Sequence, residues 1–447
     1  MRILLLTAYF PPDTGSAAHL FYELGRAFVE RGHEVTVLTS MPGYHALGPL
    51  EKYRGKKRIK EDMDGMEVVR VATPQPPRHL LVGRALWQFG GALAFFLAGL
   101  ALPSHDVAIV YSPPLPLGLT AWGLKKLRGI PFILNVQDLF PQSIIDLGLL
   151  RNRWLIRFFE AMERFVYQQA NAITVHSEGN RQHIARKLGI EKAEKIRVIP
   201  NWVDTRFIQP GPRVNWFREE YNLGNAFIVS FAGVLGYSQD LDVVLEAARI
   251  LNGGRWKMED VSWKTEGGDW QSAIGNPNSE ILFLIVGDGV EKARLEAKAR
   301  QIGLDNVRFL PMQPREKYPA VLHASDIGLV TLHAEVRTPV VPSKILSIMA
   351  AGRPVVAAMN LDGDGPRLIT ESRCGLCVPP EDPQALAQAV LKLYHDPSLR
   401  QELGRNGRRY AEEHLSLEAC GGQYEELLQR IAEEGKGSAI FRIDNRT

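Results

Sequence analysis

Short apolar runs alternate with longer helix-period segments along nearly the whole chain, and this alternation limits the possible folds more than any single motif. Candidate strands fall at 2–7, 34–39, 67–72, 106–111, 131–136 and 172–175, and again at 227–232, 281–286, 306–309, 326–330, 354–357 and 375–378. Segments of helical period lie between them, at 16–31, 84–101, 154–170, 178–188, 240–251, 289–302, 343–351 and 383–395. Strands that are apolar throughout and separated by helices form parallel sheets covered on both faces. Two series of about six strands therefore predict an α/β protein made of two Rossmann-like, doubly wound domains.

The join falls near Ile199-Pro200-Asn201-Trp202-Val203-Asp204, ahead of the turn-rich Pro210-Gly211-Pro212. The expected domains are 1–203 and 204–405, followed by C-terminal helices at 406–432 that return to the first domain and a flexible tail at 433–447. Asn252–Glu280 has no period and is rich in Gly, Asn and Trp, where a few residues would suffice, so 252–280 reads as a surface insertion. Its Trp256, Trp263 and Trp270 either dock a partner or membrane, or pack back on the domain.

Composition is that of a soluble globular chain, with 45% hydrophobic and 23% charged residues. Three cysteines exclude a disulfide framework. The Cys374-Gly-Leu-Cys377 spacing suits a metal or redox pair, but no second pair accompanies it, so buried thiols in a reducing cytoplasm are expected. Arg2–Thr7 is too short for a signal segment and reads as a first strand at the start of the fold. Residues 1–203 hold 25 Lys and Arg against 17 Asp and Glu, and the remainder 28 against 33. A basic first half and an acidic second half suggest different partners, although chance surface charge is the plain alternative. Leu80–Leu102 approaches membrane-spanning length, but Arg84, Gln88 and Gly90-Gly91 interrupt it. It reads as a buried helix, or as one that holds the basic domain on an anionic membrane together with Arg78, Arg84, Arg151, Arg153, Arg157 and Lys56-Lys57-Arg58.

Candidate chemistry sits where strands end. Gly15-Ser16 turns into a helix whose N-terminal N–H groups suit an anion. Asp138, in Gln137-Asp138-Leu139-Phe140-Pro141, ends a hydrophobic strand and would face a ligand or cap the next helix; His176 follows its strand in the same way. Gly233 and Gly236 close one strand and Gly287-Asp288-Gly289 another; both are candidate backbone cradles for phosphate, with Asp288 also placed to cap a helix beginning near Val290. Val341-Pro342-Ser343-Lys344 opens a helix with Ser343 at the N-cap position. Lys344 in the first turn opposes the helix dipole, and a bound diphosphate would turn that misfit into an asset.

In order and spacing these residues resemble the family 4 glycosyltransferases of the GT-B fold. The resemblance rests on Gly15…Glu23-Leu24…Phe28-Val29-Glu30-Arg31-Gly32-His33-Glu34-Val35, Pro200-Asn201-Trp202-Val203-Asp204…Phe207, Val286-Gly287-Asp288-Gly289 and Met349-Ala350-Ala351-Gly352-Arg353-Pro354-Val355. Pro342-Ser343-Lys344, the Gln137–Pro141 motif and Pro200-Asn201-Trp202 are similar to the branch of colanic-acid and fucosamine-type transferases of bacterial surface polysaccharides. The resemblance implies two domains facing across a cleft and retaining transfer of a sugar, such as an N-acetylated hexosamine, from a nucleotide-diphosphate sugar. A UDP-sugar is the default donor, with neither metal nor cofactor. The second domain would hold the donor through Gly233, Gly236, Gln239, Gly287–Gly289 and Pro342, Ser343, Lys344 and Ile345, with Gly15 and Ser16 contributing from the first. The acceptor would be a lipid-linked saccharide on the side of His176, at the cytoplasmic face of the inner membrane; nucleic acid is not expected as a partner.

The chain departs from the family pattern at several points. The usual Arg and Lys after the strand ending at Phe231–Gly233 correspond to Val234 and Gln239, and two usual glutamates to Pro339 and Ser347. Charge developing on a leaving diphosphate still needs a cation. Lys344 is the candidate, with Arg337 or Arg353 behind it, and Lys344 and Asp138 are the expected catalytic pair. A GT-B nucleotide-sugar epimerase and a non-catalytic nucleotide-sugar-binding protein stand as alternatives.

Overall fold

A computed structural model describes residues 1–13, 16–43, 46, 50–74, 81–146, 148–252 and 281–444. The chain forms two compact units, Met1–Trp202 with Leu417–Thr447, and Val203–Ser416. The predicted insertion at 252–280 lies outside the described residues from 253 onward, as do Trp256, Trp263 and Trp270.

The first unit is built on strands β1 (Arg2–Leu6), β2 (Glu34–Ser40), β3 (Arg58–Met63), β4 (Met66–Val71), β5 (Val107–Ser112), β6 (Phe132–Val136), β7 (Ala172–Val175) and β8 (Ile196–Val198). They lie in the order β3-β4-β2-β1-β5-β6-β7-β8, parallel throughout except where β3 runs antiparallel to β4. Both faces are covered, which is why the inner strands read as unbroken apolar runs. Ile3 and Leu5 point to the helices Ser16–Glu30 and Leu417–Asp444, against Phe21, Leu24, Phe28, Tyr424 and Leu428. Leu4 and Leu6 point the other way, to the helices Leu81–Leu100, Leu117–Arg128 and Arg153–Gln169, through Phe95, Leu124 and Val166. The sheet reverses its winding between β1 and β5.

Two strands escaped the sequence reading. β3 is a polar edge strand whose residues alternate between exposed and half-buried, so no apolar run marks it. Its signal was the turn: Asp64 and Gly65, at φ 51° and 81°, make the two-residue hairpin in which Met63 pairs with Met66. β8 has only three residues.

The second unit carries β9 (Phe227–Ala232), β10 (Ile281–Val286), β11 (Val307–Leu310), β12 (Ile327–Thr331), β13 (Val355–Ala358) and β14 (Gly375–Val378), in the order β11-β10-β9-β12-β13-β14 and all parallel. This is the doubly wound order 3-2-1-4-5-6, with its switch point between β9 and β12. The helices Asp242–Ile250 and Pro383–His395 cover one face, and Ser343–Ala350 lies on the other. The helix Pro397–His414 also belongs here, so the sequence boundary at 405 falls inside it; a Cβ on Gly404 would lie 2.3 Å from the Gly352 carbonyl oxygen. The chain leaves this unit at Ser416, and Leu417–Asp444 is one helix that continues through the segment read as a tail. None of the three thiols is in a disulfide, and burial pushes Cys374 up to about 11 and Cys377 and Cys420 to about 12, so they are poor nucleophiles. Among the described residues no helix is long and apolar enough to cross a membrane, and no cluster of His, Cys, Asp and Glu suits a metal.

Candidate active site

Ligands of doubly wound sheets bind at the carboxyl ends of the strands, at the switch point. In the second unit β9 ends there in Ala232, followed by Gly233, beside Thr331 at the end of β12. Gly233 sits at φ 149°, and a Cβ there would lie 2.6 Å from Lys344 Cε. Glycine therefore lets the Lys344 stem cross the end of the strand. The ammonium reaches 2.8 Å from Gln239 Oε1 and lies 4.8 Å from the centre of the Phe231 ring. No carboxylate pairs with it among the described residues, and desolvation lowers its pKa to about 8. A half-buried cation held only by an amide oxygen and a ring favours an anionic ligand.

The surroundings are fixed. Thr331 Oγ1 donates to the Gln239 carbonyl, and Asp240 beyond it adopts a left-handed φ of 41°. Lys344 rides in the first turn of the helix Ser343–Ala350. Here the structure corrects the sequence: Pro342 occupies the N-cap position, no side chain caps the helix, and Ser343 is its first, exposed residue. The helix start thus presents N–H groups and a cation together. Ile345 is different, because its side chain is fully buried in the core and its N–H donates to the Pro342 carbonyl at 3.0 Å. Beneath Lys344 a small cavity is lined by Ser230, Ala232, Tyr318, Leu322, Leu329 and Ile348. Tyr318 lies beside Ser347, one of the two positions where the family's glutamate is replaced, and burial raises its hydroxyl to about 12.

The second glycine turn has a structural reason. Gly233 N donates to Val286 O at 2.9 Å and Leu235 N to Asp288 O at 2.9 Å, which zips the two turns together. A Cβ on Gly287 would meet the Gly233 carbonyl at 1.9 Å, and one on Gly289 the Leu235 carbonyl at 2.3 Å. Gly236 meets no such limit. Asp288 does not cap a helix: its carboxylate accepts from Gly289 N at 2.8 Å, and the helix begins only at Lys292. Arg353 donates to the Gly211 and His323 carbonyls, so its guanidinium is engaged within its own unit. Arg337 is exposed.

Sequence reasoning missed His333 and Glu381, whose side chains approach to 3.4 Å. His333 follows the end of β12, Glu381 follows that of β14, and the His333 imidazole lowers the Asp240 carboxyl that burial raises. Asn360 holds the intervening loop by donating to Ala334 O at 3.0 Å and Val336 O at 2.9 Å. The available signal was position at a strand's carboxyl end, the same one that flagged His176.

In the first unit Asp138 and His176 come together at the ends of the paired strands β6 and β7. Asp138 is exposed, yet the protein around it raises its carboxyl, with the His176 imidazole pulling the other way. His176 is buried, its Nε2 lying 3.0 Å from Gln137 O and 2.9 Å from Asn180 Nδ2. Gly15 lies outside the described residues, and Ser16 opens the helix Ser16–Glu30. A small pocket at the ends of β1, β2 and β5 is lined by Ala8, Ser40, Thr73, Gln88, Phe95 and Pro114, among others.

Two doubly wound units, one with an uncapped helix start and, among the described residues, a lysine without a carboxylate partner at its switch point, define a GT-B-type protein. Comparison with known proteins agrees. Residues 14–202 match a glycosyl transferase 4-like domain and residues 214–410 the glycosyl transferases group 1. The chain is 27% identical to the colanic acid biosynthesis glycosyl transferase WcaI of Escherichia coli K12, over 90% of this chain and 95% of that one. Its fold is similar to sucrose-phosphate synthase of Thermosynechococcus elongatus (TM-score 0.72, 19% identity, 96% and 99% covered) and to Anabaena Alr3699/HepE in complex with UDP (0.68, 17%, 96% and 100%). The chain belongs to the family 4 glycosyltransferases of the GT-B fold, and it is a glycosyltransferase.

Proposed function

We infer that the chain transfers a sugar, such as an N-acetylated hexosamine, from a nucleotide-diphosphate donor to a lipid-linked saccharide, with retention of configuration. The setting is surface-polysaccharide assembly at the cytoplasmic face of a membrane. The observation that carries this reading is Lys344, an ammonium without a carboxylate, seated over Gly233 at the second unit's switch point. In the transfer an acceptor hydroxyl oxygen bonds the anomeric carbon and gives its proton to the departing diphosphate, while the bond from that carbon to the diphosphate breaks and the diphosphate takes the electron pair. Lys344 and the free N–H groups at the start of its helix meet that charge, in place of the Arg and Lys replaced here by Val234 and Gln239. No metal is needed for that role. Asp138 and His176 stand on the acceptor side. The UDP default draws support from the UDP complex of Alr3699/HepE, and the surface-polysaccharide setting from WcaI.

The test is transfer of radiolabelled sugar from a panel of nucleotide sugars into a bacterial lipid extract. Labelled lipid product is expected, and Lys344→Ala lowers its rate by about 10²–10³-fold, the usual cost of losing one group that stabilises developing charge. Full activity in Lys344→Ala would sink the assignment. Sugar conversion without acceptor would indicate an epimerase, and donor binding without product a binding protein.

A further inference from the structure

The start of the helix Arg153–Gln169 breaks two rules at once. Its first turn holds no acidic residue, and Arg153 and Arg157, with Arg151 just before, add positive charge to the positive end of the helix dipole. Among these arginines stand large apolar side chains in water: Trp154 is 77% exposed and Leu149 66%, with Leu155 and Phe158 also exposed. The patch continues onto a second helix. Phe158 meets Phe89 with ring centroids 6.1 Å apart, and Leu93 and Leu97, one and two turns beyond Phe89 in Leu81–Leu100, are each 59% exposed. From Arg151 to Phe158 no acidic residue intervenes. Asn152 caps the helix by accepting from Trp154 N at 2.9 Å and Leu155 N at 3.2 Å, so the exposed Trp154 stands on ordered backbone. Arg157 lies 5.7 Å from the Trp154 ring.

A folded chain gains nothing from this arrangement alone, since a cationic helix start and bare aromatics each cost free energy in water. Both are offset by a surface that is apolar within and anionic outside. We propose that this face of the first unit seats in the interface of an anionic lipid bilayer, with Trp154, Leu155, Phe158, Leu93 and Leu97 entering the headgroup boundary and Arg151, Arg153 and Arg157 on the lipid phosphates. Lys56-Lys57-Arg58 runs into β3 at an edge of the sheet, and Arg78 lies outside the described residues. The inference deepens the reading of a membrane-borne acceptor by assigning the surface that meets the membrane.

The test is co-sedimentation of the full chain with vesicles of phosphatidylcholine alone and of phosphatidylcholine with equimolar phosphatidylglycerol. Wild type is expected to bind the anionic vesicles, less at high salt. Trp154→Ala with Phe158→Ala is expected to lower the partition constant roughly tenfold or more, and glutamine at Arg151, Arg153 and Arg157 to lower it roughly fivefold per arginine. Trp216→Ala, an exposed tryptophan of the second unit, leaves it unchanged. Because all these substitutions are at exposed positions, thermal unfolding confirms that the variants fold. Absence of binding by wild type, unchanged binding by the Trp154/Phe158 variant, or a shift from dimer to monomer in that variant would each overturn the proposal, the last by giving the face to a second copy. Stabilisation by UDP in vesicle-free samples reports separately on the donor site, so the two readings fail independently.

Discussion

The two units share a winding order and differ in what they place at its end. At the second unit's switch point a lysine crosses a glycine and, among the described residues, finds no carboxylate but Gln239, a ring and an uncapped helix start. At the first unit's carboxyl ends stands a network of neutral groups: Asn135 donates to Tyr424 and Thr174, Gln137 donates to Asn135, and Asn201 donates to Gln137. Beside it stands the Asp138 carboxylate, next to His176. On the proposed function, one scaffold serves an anion in one copy and neutral, hydroxyl-rich chemistry in the other, because topology fixes where a site forms and side chains fix what it accepts.

The largest expected break in that contrast is Lys344→Ala, with its 10²–10³-fold loss of transfer on the estimate of about one lost charge-stabilising group. Lys344→Met separates function from stability. Without ligand, the variant is expected to be at least as stable as wild type, because it removes an unpaired half-buried charge. In the same variant, stabilisation by UDP disappears. Thermal unfolding with and without UDP checks both; a destabilised variant that still responds to UDP would remove the lysine from the donor site.

The pH dependence sharpens the same point through two opposite signs. The folded pKa of Lys344, about 8, lies below its ordinary value of 10.5. Between these values the unfolded chain binds the proton and the folded one does not, so this group makes the ligand-free protein more stable as pH rises from about 8 towards 10.5. Donor binding runs the other way. An anion holds the ammonium in its charged form, so affinity for UDP is level below about pH 8 and falls towards tenfold per pH unit above it. Titration calorimetry across pH, wild type against Lys344→Met, isolates the lysine from other groups. A flat profile in wild type would break the assignment.

Much of this was legible in advance, and the failures have physical causes. Buried parallel strands betray themselves by composition, so all twelve predicted strands exist. The polar edge strand β3 does not, because a solvated face imposes no apolar period; only Asp64-Gly65 marked it. Lys344 stood out from the sequence because a cation in a first helical turn contradicts the dipole, and the structure brings it to Gln239 and Gly233, 105 and 111 residues away in the chain. Sequence could not show that Gly287 and Gly289 answer to the neighbouring turn, since that constraint comes from strand order. His333 and Glu381 were missed for the same reason: they meet only because β12 and β14 end on the same face.

A glycine comparison tests that constraint at a smaller scale. The added Cβ of Gly287→Ala would lie 1.9 Å from the Gly233 carbonyl oxygen, a backbone atom tied into the zipped turns, so the turns must part. The expected cost is about 1–3 kcal/mol of stability, together with weaker UDP binding, because Gly233 also carries the Lys344 stem. Gly236→Ala, with open space around it and an ordinary φ of −110°, is expected within about 0.5 kcal/mol of wild type. Equal effects of the two substitutions would mean that the turns are not held by close approach.

A modest effect belongs to the first unit's network. Tyr424→Phe removes a hydroxyl that accepts from Asn135 at 2.7 Å and donates to Thr174 at 3.3 Å. Asn135 Nδ2 keeps its bond to Thr174 Oγ1 at 3.1 Å, so no buried donor is stranded and the loss is about 1 kcal/mol. Asn135→Ala goes further, because it takes the oxygen that Gln137 Nε2 donates to at 3.0 Å and loosens the strand end that carries Asp138. Acceptor KM should therefore rise in Asn135→Ala and stay level in Tyr424→Phe, while UDP stabilises both variants as it does wild type. A fall in UDP binding on either substitution would show that the division of chemistry between the two units is wrong.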